Sequence, residues 1–272
     1  MPALVYGGLS LWAVLSCFPF VWMLLASFMT RGETLRRVLW PDDMQWGNYL
    51  QAWQEADFGL YFGNSVIIAA MQVGGTLLFS LLAAYPLARM RFPGREVVFA
   101  GILATLMVPE SVTMVPNFLT VTWLHRKLPF AWLNSWPALT IPFMANAFSI
   151  FLLRQFLRSL PSELWDAARI DGAGHLRFLL QILLPLCRAP LLTVGMLTFI
   201  GSWNALAWPL LVTNTPAWRP ISVGLQQFVS EAGAEVHLQM AGAVIATVPV
   251  LCMYFLIQKE FTEGISMSGL KG

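Results

Sequence analysis

The sequence predicts an all-α, polytopic membrane protein with about six transmembrane helices. Three observations carry this: a composition too apolar for water, a series of runs long enough to cross a bilayer, and no strand-like alternation within them. Of 272 residues, 57% are hydrophobic and 11% are charged, and the mean hydropathy is +0.66. Soluble domains carry about 25% charged residues, so lipid must be the solvent for much of this chain. Its 17 prolines and 20 glycines suit membrane helices, where neighbours re-satisfy freed backbone groups. A net charge of +2, with no basic stripe carrying interleaved aromatics, excludes nucleic acid as a partner. Cys17, Cys187 and Cys252 lie in apolar or membrane-flanking stretches without CxxC spacing and read as small apolar fillers.

A bilayer core needs about 20 apolar residues per helix. Such runs lie at roughly 4–29, 61–88, 96–122, 136–157, 187–212 and 239–258. The first is too long for a signal-peptide core and has no basic residue before it, so it reads as a retained span. The abrupt Met1-Pro2 opening leaves room for a start upstream. Gly74, Gly75, Pro109 and Gly195 lie inside the second, third and fifth runs. Pro137 and Pro142 open the fourth, and Pro249 lies in the sixth. The runs lack the period-two alternation of a membrane barrel. The chain divides into 1–60, a first helix with an outer loop, and 61–272, a core with five helices and a connecting loop at 158–188.

Lys and Arg in the connections set the orientation. With the N-terminus inside, 89–95, 154–188 and 259–272 carry ten of them, against six in 30–60, 123–134 and 213–238. Both termini are therefore expected in the cytoplasm. Trp40, Trp46, Tyr49 and Trp53 in the first outer loop suit an interfacial aromatic belt or a carbohydrate-facing surface.

One segment is plainly not membrane filler. Residues 158–188 read RSLPSELWDAARIDGAGHLRFLLQILLPLCR and fall on the inner face. Pro161 suits a first helical turn, with Glu163 near the positive end of the helix dipole. Gly172 is the expected stop, since a left-handed closing residue has no side-chain clash there. A helix is thus expected over 161–171, with Leu164, Ala167 and Ala168 on one side and Asp166 and Arg169 spaced to interact on another. A second helical stretch should run from His175 to near Pro185. A short helix with small and acidic residues fits a protein groove, and it equally fits a solvated connector.

DAARIDGAGHLRFLLQILLP resembles the EAA motif of bacterial binding-protein-dependent ABC importers, with Ala167, Ala168, Gly172, Ile182 and Pro185 on the pattern. Asp166 stands where that family usually has Glu, one methylene longer. The resemblance covers roughly 60–272. YFGNSVIIA, AYPLARMRFPGRE, MVPESVTMVP, FLLRQFLRSLPSE, GSWNALAWPLLV and EGISMSGLKG are similar to the maltose-type carbohydrate branch, in its shorter six-span partner. Ala205 departs from it, since SWN is usually followed by an acid.

The resemblance implies a type I (MetI-like) permease fold in the bacterial inner membrane and a sugar-like solute moved by alternating access. It implies docking of a separate ATPase on Glu163, Asp166, Ala167, Ala168, Arg169, Asp171, Gly172 and Pro185. The implied partners are a second homologous permease, two ATPase subunits that bind ATP and Mg, and an extracytoplasmic solute-binding protein. The loop 213–238, with Trp218, Gln226 and Gln227, resembles in position the one that probes that protein's cleft.

No phosphate-cradling G-x-x-x-x-G-K-[ST], no HExxH and no GxSxG occurs. His125, His175 and His237 are scattered, so neither a metal site nor a catalytic role is expected. Polar groups at membrane depth are expensive and hence suggestive. Glu110 is expected inside the third span, with Asn64, Trp203 and Asn204 as further candidates for the solute path; packing and interhelical hydrogen bonding explain these residues as well. A glycerol-phosphate or other non-sugar ABC permease is the nearest alternative. A gradient-driven transporter would want several intramembrane acids or bases, and only Glu110 is one.

Overall fold

A computed structural model describes residues 2–36, 38–130, 132–230 and 233–269, with 2–4, 229–230, 233–234 and 259–269 as backbone only. The closing GLKG therefore lies mostly outside the described residues. Among the described residues, three helices are long and apolar: α1 (Pro2–Ala26), α4 (Phe58–Arg89) and α15 (Val236–Gly269). Their stretches Val5–Ala26, Phe58–Arg89 and Val236–Gln258, of mean hydropathy 2.0, 2.0 and 2.2, are each sufficient to cross a membrane.

The other expected spans are not single rods. Helices α5 (Arg95–Thr105) and α6 (Glu110–Lys127) meet at 100°. Helix α7 (Trp136–Thr140), with its 3-10 turn Ile141–Phe143, meets α8 (Ala147–Ser159) at 45°. The stretch His175–Leu186 meets α12 (Arg188–Trp203) at 81°. Counting each bent pair as one span gives six. The expected run 96–122 breaks where Pro109 takes an extended backbone (φ −60°, ψ 141°) ahead of α6. The run 187–212 is α12, an interruption at 204–206, and α13 (Ala207–Val212).

Two compact units emerge. One comprises 1–64 with 219–251. In it the expected outer loop carries two helices, α2 (Arg31–Arg36) and α3 (Gly47–Glu55), and Ile221–Gly224 forms a single turn, α14. Two-residue strands, Val229–Ser230 and Gly233–Ala234, pair antiparallel. Tyr49 and Trp46 pack on Phe28 at the end of α1, with ring centroids 5.4 and 4.6 Å away. Asn48 Nδ2 donates to the Ser27 and Met29 carbonyls at 2.9 and 2.8 Å, satisfying acceptors that the end of α1 leaves open.

Glu33 fixes this segment. Its carboxylate accepts from Asp42 N (2.7 Å), Thr30 N (2.6 Å) and Thr30 Oγ1 (2.7 Å). The hydrogen bond from the Asp42 backbone, then those from Thr30, hold its pKa below the ordinary 4.5. A carboxylate whose pKa is lowered by folding stabilises fully above its ordinary value and stops doing so as pH falls through the lowered one. Protease resistance of the 31–55 segment should therefore be constant above pH 4.5 and fall below it, and Glu33→Gln should remove that dependence. A mutant curve identical to wild type would refute this role.

The second unit comprises 65–218 with 252–272. One core cluster joins Tyr85 and Leu87 of α4 to Leu153 and Leu157 of α8 and to Ala168 and Phe178 of the connecting loop. Another gathers Val121, Leu139, Trp208 and Val212. The broken α7 is held by side chains. Pro142 has no N–H for the Ala138 carbonyl four residues back, and Trp208 Nε1 donates to it instead at 2.9 Å. Gln72 Nε2 and Thr76 Oγ1 of α4 donate to the Leu139 and Phe143 carbonyls at 2.8 and 3.3 Å. Gly75 lies under Met144, whose side chain occupies the place any Cβ would take.

Arg154 is a correction to the loop count of cations. It lies within α8 and is 2% exposed. Its Nε donates to the Leu87 carbonyl at 3.1 Å, its Nη2 reaches both Glu96 carboxylate oxygens at 2.9 and 3.0 Å, and its guanidinium sits 3.6 Å from the centroid of Phe99.

Candidate functional site

Helix α9 (Glu163–Ile170) is the predicted loop helix, two residues shorter at its start, because Pro161 precedes it and Ser162 occupies the cap position. It ends at Ile170, one residue before the expected end, with Gly172 as the expected stop. Gly172 has φ +74°, Ala173 N donates to the Ala168 carbonyl (2.8 Å) and Gly172 N to the Arg169 carbonyl (3.0 Å). These are the paired bonds of a Schellman closure.

Tertiary contacts hold so short a helix. Ala168 is buried and Leu164 half-buried against the cluster of the second unit. Trp165 stacks on His175 at 4.5 Å and 14°, and meets Phe178 edge-on at 5.0 Å. The His175 Nδ1 in turn shares a 2.6 Å hydrogen bond with the Tyr85 hydroxyl. Glu163, Asp166, Ala167, Arg169 and Asp171 are exposed. Ala167 thus belongs to the outer face rather than with Ala168, and among the described residues Asp166 and Arg169 do not close an ion pair.

Ile170 on the same helix is 87% exposed, and Leu176 on the helical stretch that follows is 65% exposed. The outer face therefore carries three carboxylates and the Arg169 guanidinium around an apolar centre. Sequence reasoning missed Ile170, although Glu163, Ala167 and Ile170 stand at the i, i+4, i+7 spacing of one helix face.

Beyond Gly172 the chain continues as α10 (His175–Phe178), a π turn at Leu179–Leu183 and α11 (Leu184–Leu186). Pro185 offers no N–H to the Gln181 carbonyl, and the widened turn lies just ahead of it. Pro185 is exposed.

The four candidates for a solute path fall in both units. Asn64 belongs to the first unit, buried, with Nδ2 donating to the Arg219 carbonyl at 3.0 Å. Glu110, Trp203 and Asn204 belong to the second. Glu110 is exposed as the first residue of α6 at the 100° bend, so it opens a half-helix instead of lying inside a continuous one. Trp203 is 2% exposed and its ring lies on Phe199 at 5.4 Å. Asn204 is exposed at the end of α12, donating to the Ile200 carbonyl at 3.0 Å.

A family model described as binding-protein-dependent transport system inner membrane component matches residues 76–259. Similar proteins include the diacetylchitobiose uptake system permease protein NgcG of Streptomyces coelicolor, 34% identical over 97% of this chain and 87% of that one. The lactose transport system permease protein LacG of Rhizobium radiobacter is 33% identical over 96% and 93%. The sn-glycerol-3-phosphate transport system permease protein UgpE of Yersinia enterocolitica is 35% identical over 83% and 81%. Among solved structures, a chain of a bacterial ABC transporter involved in import of the acidic polysaccharide alginate superposes with a TM-score of 0.84, covering 95% of both chains at 24% identity.

Proposed function

The chain belongs to the binding-protein-dependent transport system inner membrane components, as a permease subunit of the carbohydrate-importing branch, and from that premise we propose that α9 couples it to a separate ATPase. The observation that carries this is the outer face of α9. Glu163, Asp166 and Asp171 surround Ala167 and a nearly fully exposed Ile170, on a helix whose other side is anchored in the core. Carboxylates around a small apolar centre suit a basic-rimmed groove.

ATP and Mg are bound by the ATPase pair. A second homologous permease completes the pathway, and an extracytoplasmic binding protein delivers the solute. Both termini and α9 lie on the cytoplasmic side. Alternating access follows if the ATPases hold α9 differently in their open and closed states. Exposed Glu110 and Asn204 at helix breaks are the polar groups proposed to meet solute, with Asn64 and Trp203 supporting the path from buried positions.

Coexpression with the neighbouring permease and ATPase tests the docking. Wild type should retain the ATPase in detergent, and Asp166→Lys should weaken retention about 30-fold, the loss expected for a disrupted charged contact. Equal retention by both, or none by wild type, would refute it. The likeness to UgpE favours one second reading, a polyol-phosphate solute. Uptake of labelled glycerol phosphate in preference to a disaccharide would establish that reading.

A further inference from the structure

We propose that the last turns of α4 form the strut through which displacement of α9 reaches the spanning helices, with Tyr85 and Arg89 as positioning residues and Arg154 locking α5 into the same block. This rests on the docking of an ATPase at α9.

Both flanks of α9 are tethered to one short stretch of α4. On the upstream side, Arg89 Nη2 donates to the Leu160 carbonyl at 2.8 Å, at the end of α8 just ahead of α9. On the downstream side, the Tyr85 hydroxyl and His175 Nδ1 share their 2.6 Å hydrogen bond, and Trp165 of α9 itself lies flat on that imidazole. Between these two points, the Leu87 carbonyl receives Arg154 Nε at 3.1 Å. Residues 85, 87 and 89 thus hold the entry to α9, its exit and the helix that leads into it.

The Arg154–Glu96 bonds extend the block to the start of α5. Burying a guanidinium is costly unless it is paired and hydrogen-bonded. A leucine would fill the same core, but it would not fix α4, α5 and α8 in one register. Interdigitated cores shift as bodies and do not deform continuously. A push on the outer face of α9 therefore moves α4 and α5 with it.

The test uses the assembled importer in proteoliposomes with its binding protein and solute. Tyr85→Phe keeps the ring and removes only the hydroxyl, and Glu96→Gln keeps the shape and removes the charge. Each should retain the ATPase; Tyr85→Phe should leave the thermal midpoint close to wild type, while Glu96→Gln should lower it, because the Arg154 guanidinium loses its charged partner. Solute moved per ATP hydrolysed should fall about fivefold for Tyr85→Phe, the worth of one hydrogen bond, and fall also for Glu96→Gln. A contact serving only the fold would lower the midpoint and leave that ratio unchanged. If both variants retain the ATPase with a wild-type ratio, the strut is refuted while the docking stands. Release of the ATPase by the variants also refutes it, because the tethers would then serve docking instead of transmission. If wild type itself holds no ATPase, the docking reading fails and the strut fails with it.

Discussion

Gly172→Val is expected to abolish solute uptake while leaving the chain in the membrane. At φ +74° an L side chain costs about 1–2 kcal/mol, and a β-branched one adds crowding at Cβ. No neighbour lies within 4 Å of a Cβ placed there, so the penalty is one of backbone conformation and not of collision. Relieving it means abandoning the left-handed closure, and with it the Ala173–Ala168 and Gly172–Arg169 bonds, each worth about 1 kcal/mol. An eight-residue helix has no stability of its own to resist, so the face carrying Asp166 and Ile170 turns away from its partner. The series is diagnostic: Asn, which tolerates the left-handed region, should transport nearly as glycine does, Ala less, and Val not at all. Uptake measured against membrane abundance checks it, and equal uptake by Val and Gly would show that the closure is dispensable.

Arg154→Ala should destabilise the second unit by about 3 kcal/mol, the scale of emptying the site of a large buried side chain. It leaves a cavity beside Phe99 and takes the donor from the Leu87 carbonyl. Arg154→Met should cost much less. It refills the volume, and the freed Glu96 is 59% exposed and already pairs with Arg95 at 2.9 Å, so it remains solvated. Thermal midpoints in detergent distinguish the two. A Met variant as unstable as the Ala one would mean that the hydrogen bonds, and not the packing, dominate.

What the sequence made legible was local. Gly172 as a helix stop and the short helix before it follow from spacing alone. The EAA-like run marked the loop because its residues are contiguous. What was missed depends on distance along the chain. Arg154 read as a loop cation because Glu96 lies 58 residues away and Leu87 lies 67 away. His175 is exposed, as a surface residue should be, but its bond to Tyr85 was invisible because that tyrosine lies 90 residues before it. Glu110 was expected inside a continuous helix because a hydropathy window averages across Pro109 and sees neither the bend nor the helix start it creates. Ile170 passed unremarked because exposure, unlike apolarity, is a property of the packed chain.

The broken α7 constrains how this protein is made. Neither α7 nor α8 alone supplies the roughly 20 apolar residues that mark a span for insertion. The carbonyls of Ala138, Leu139 and Phe143 accept from donors on other elements. Gln72 and Thr76 leave the ribosome first, so α4 can offer its donors as soon as α7 follows it into lipid. Trp208 emerges 70 residues after Ala138, and until then its indole N–H is not there to stand in for the missing Pro142 amide. Biogenesis therefore has a fixed sequence: α4 receives the half-helix, and the arrival of Trp208 completes it. A chain truncated before Trp208 should linger with chaperones or proteases even though its hydrophobic segments up to that point are present.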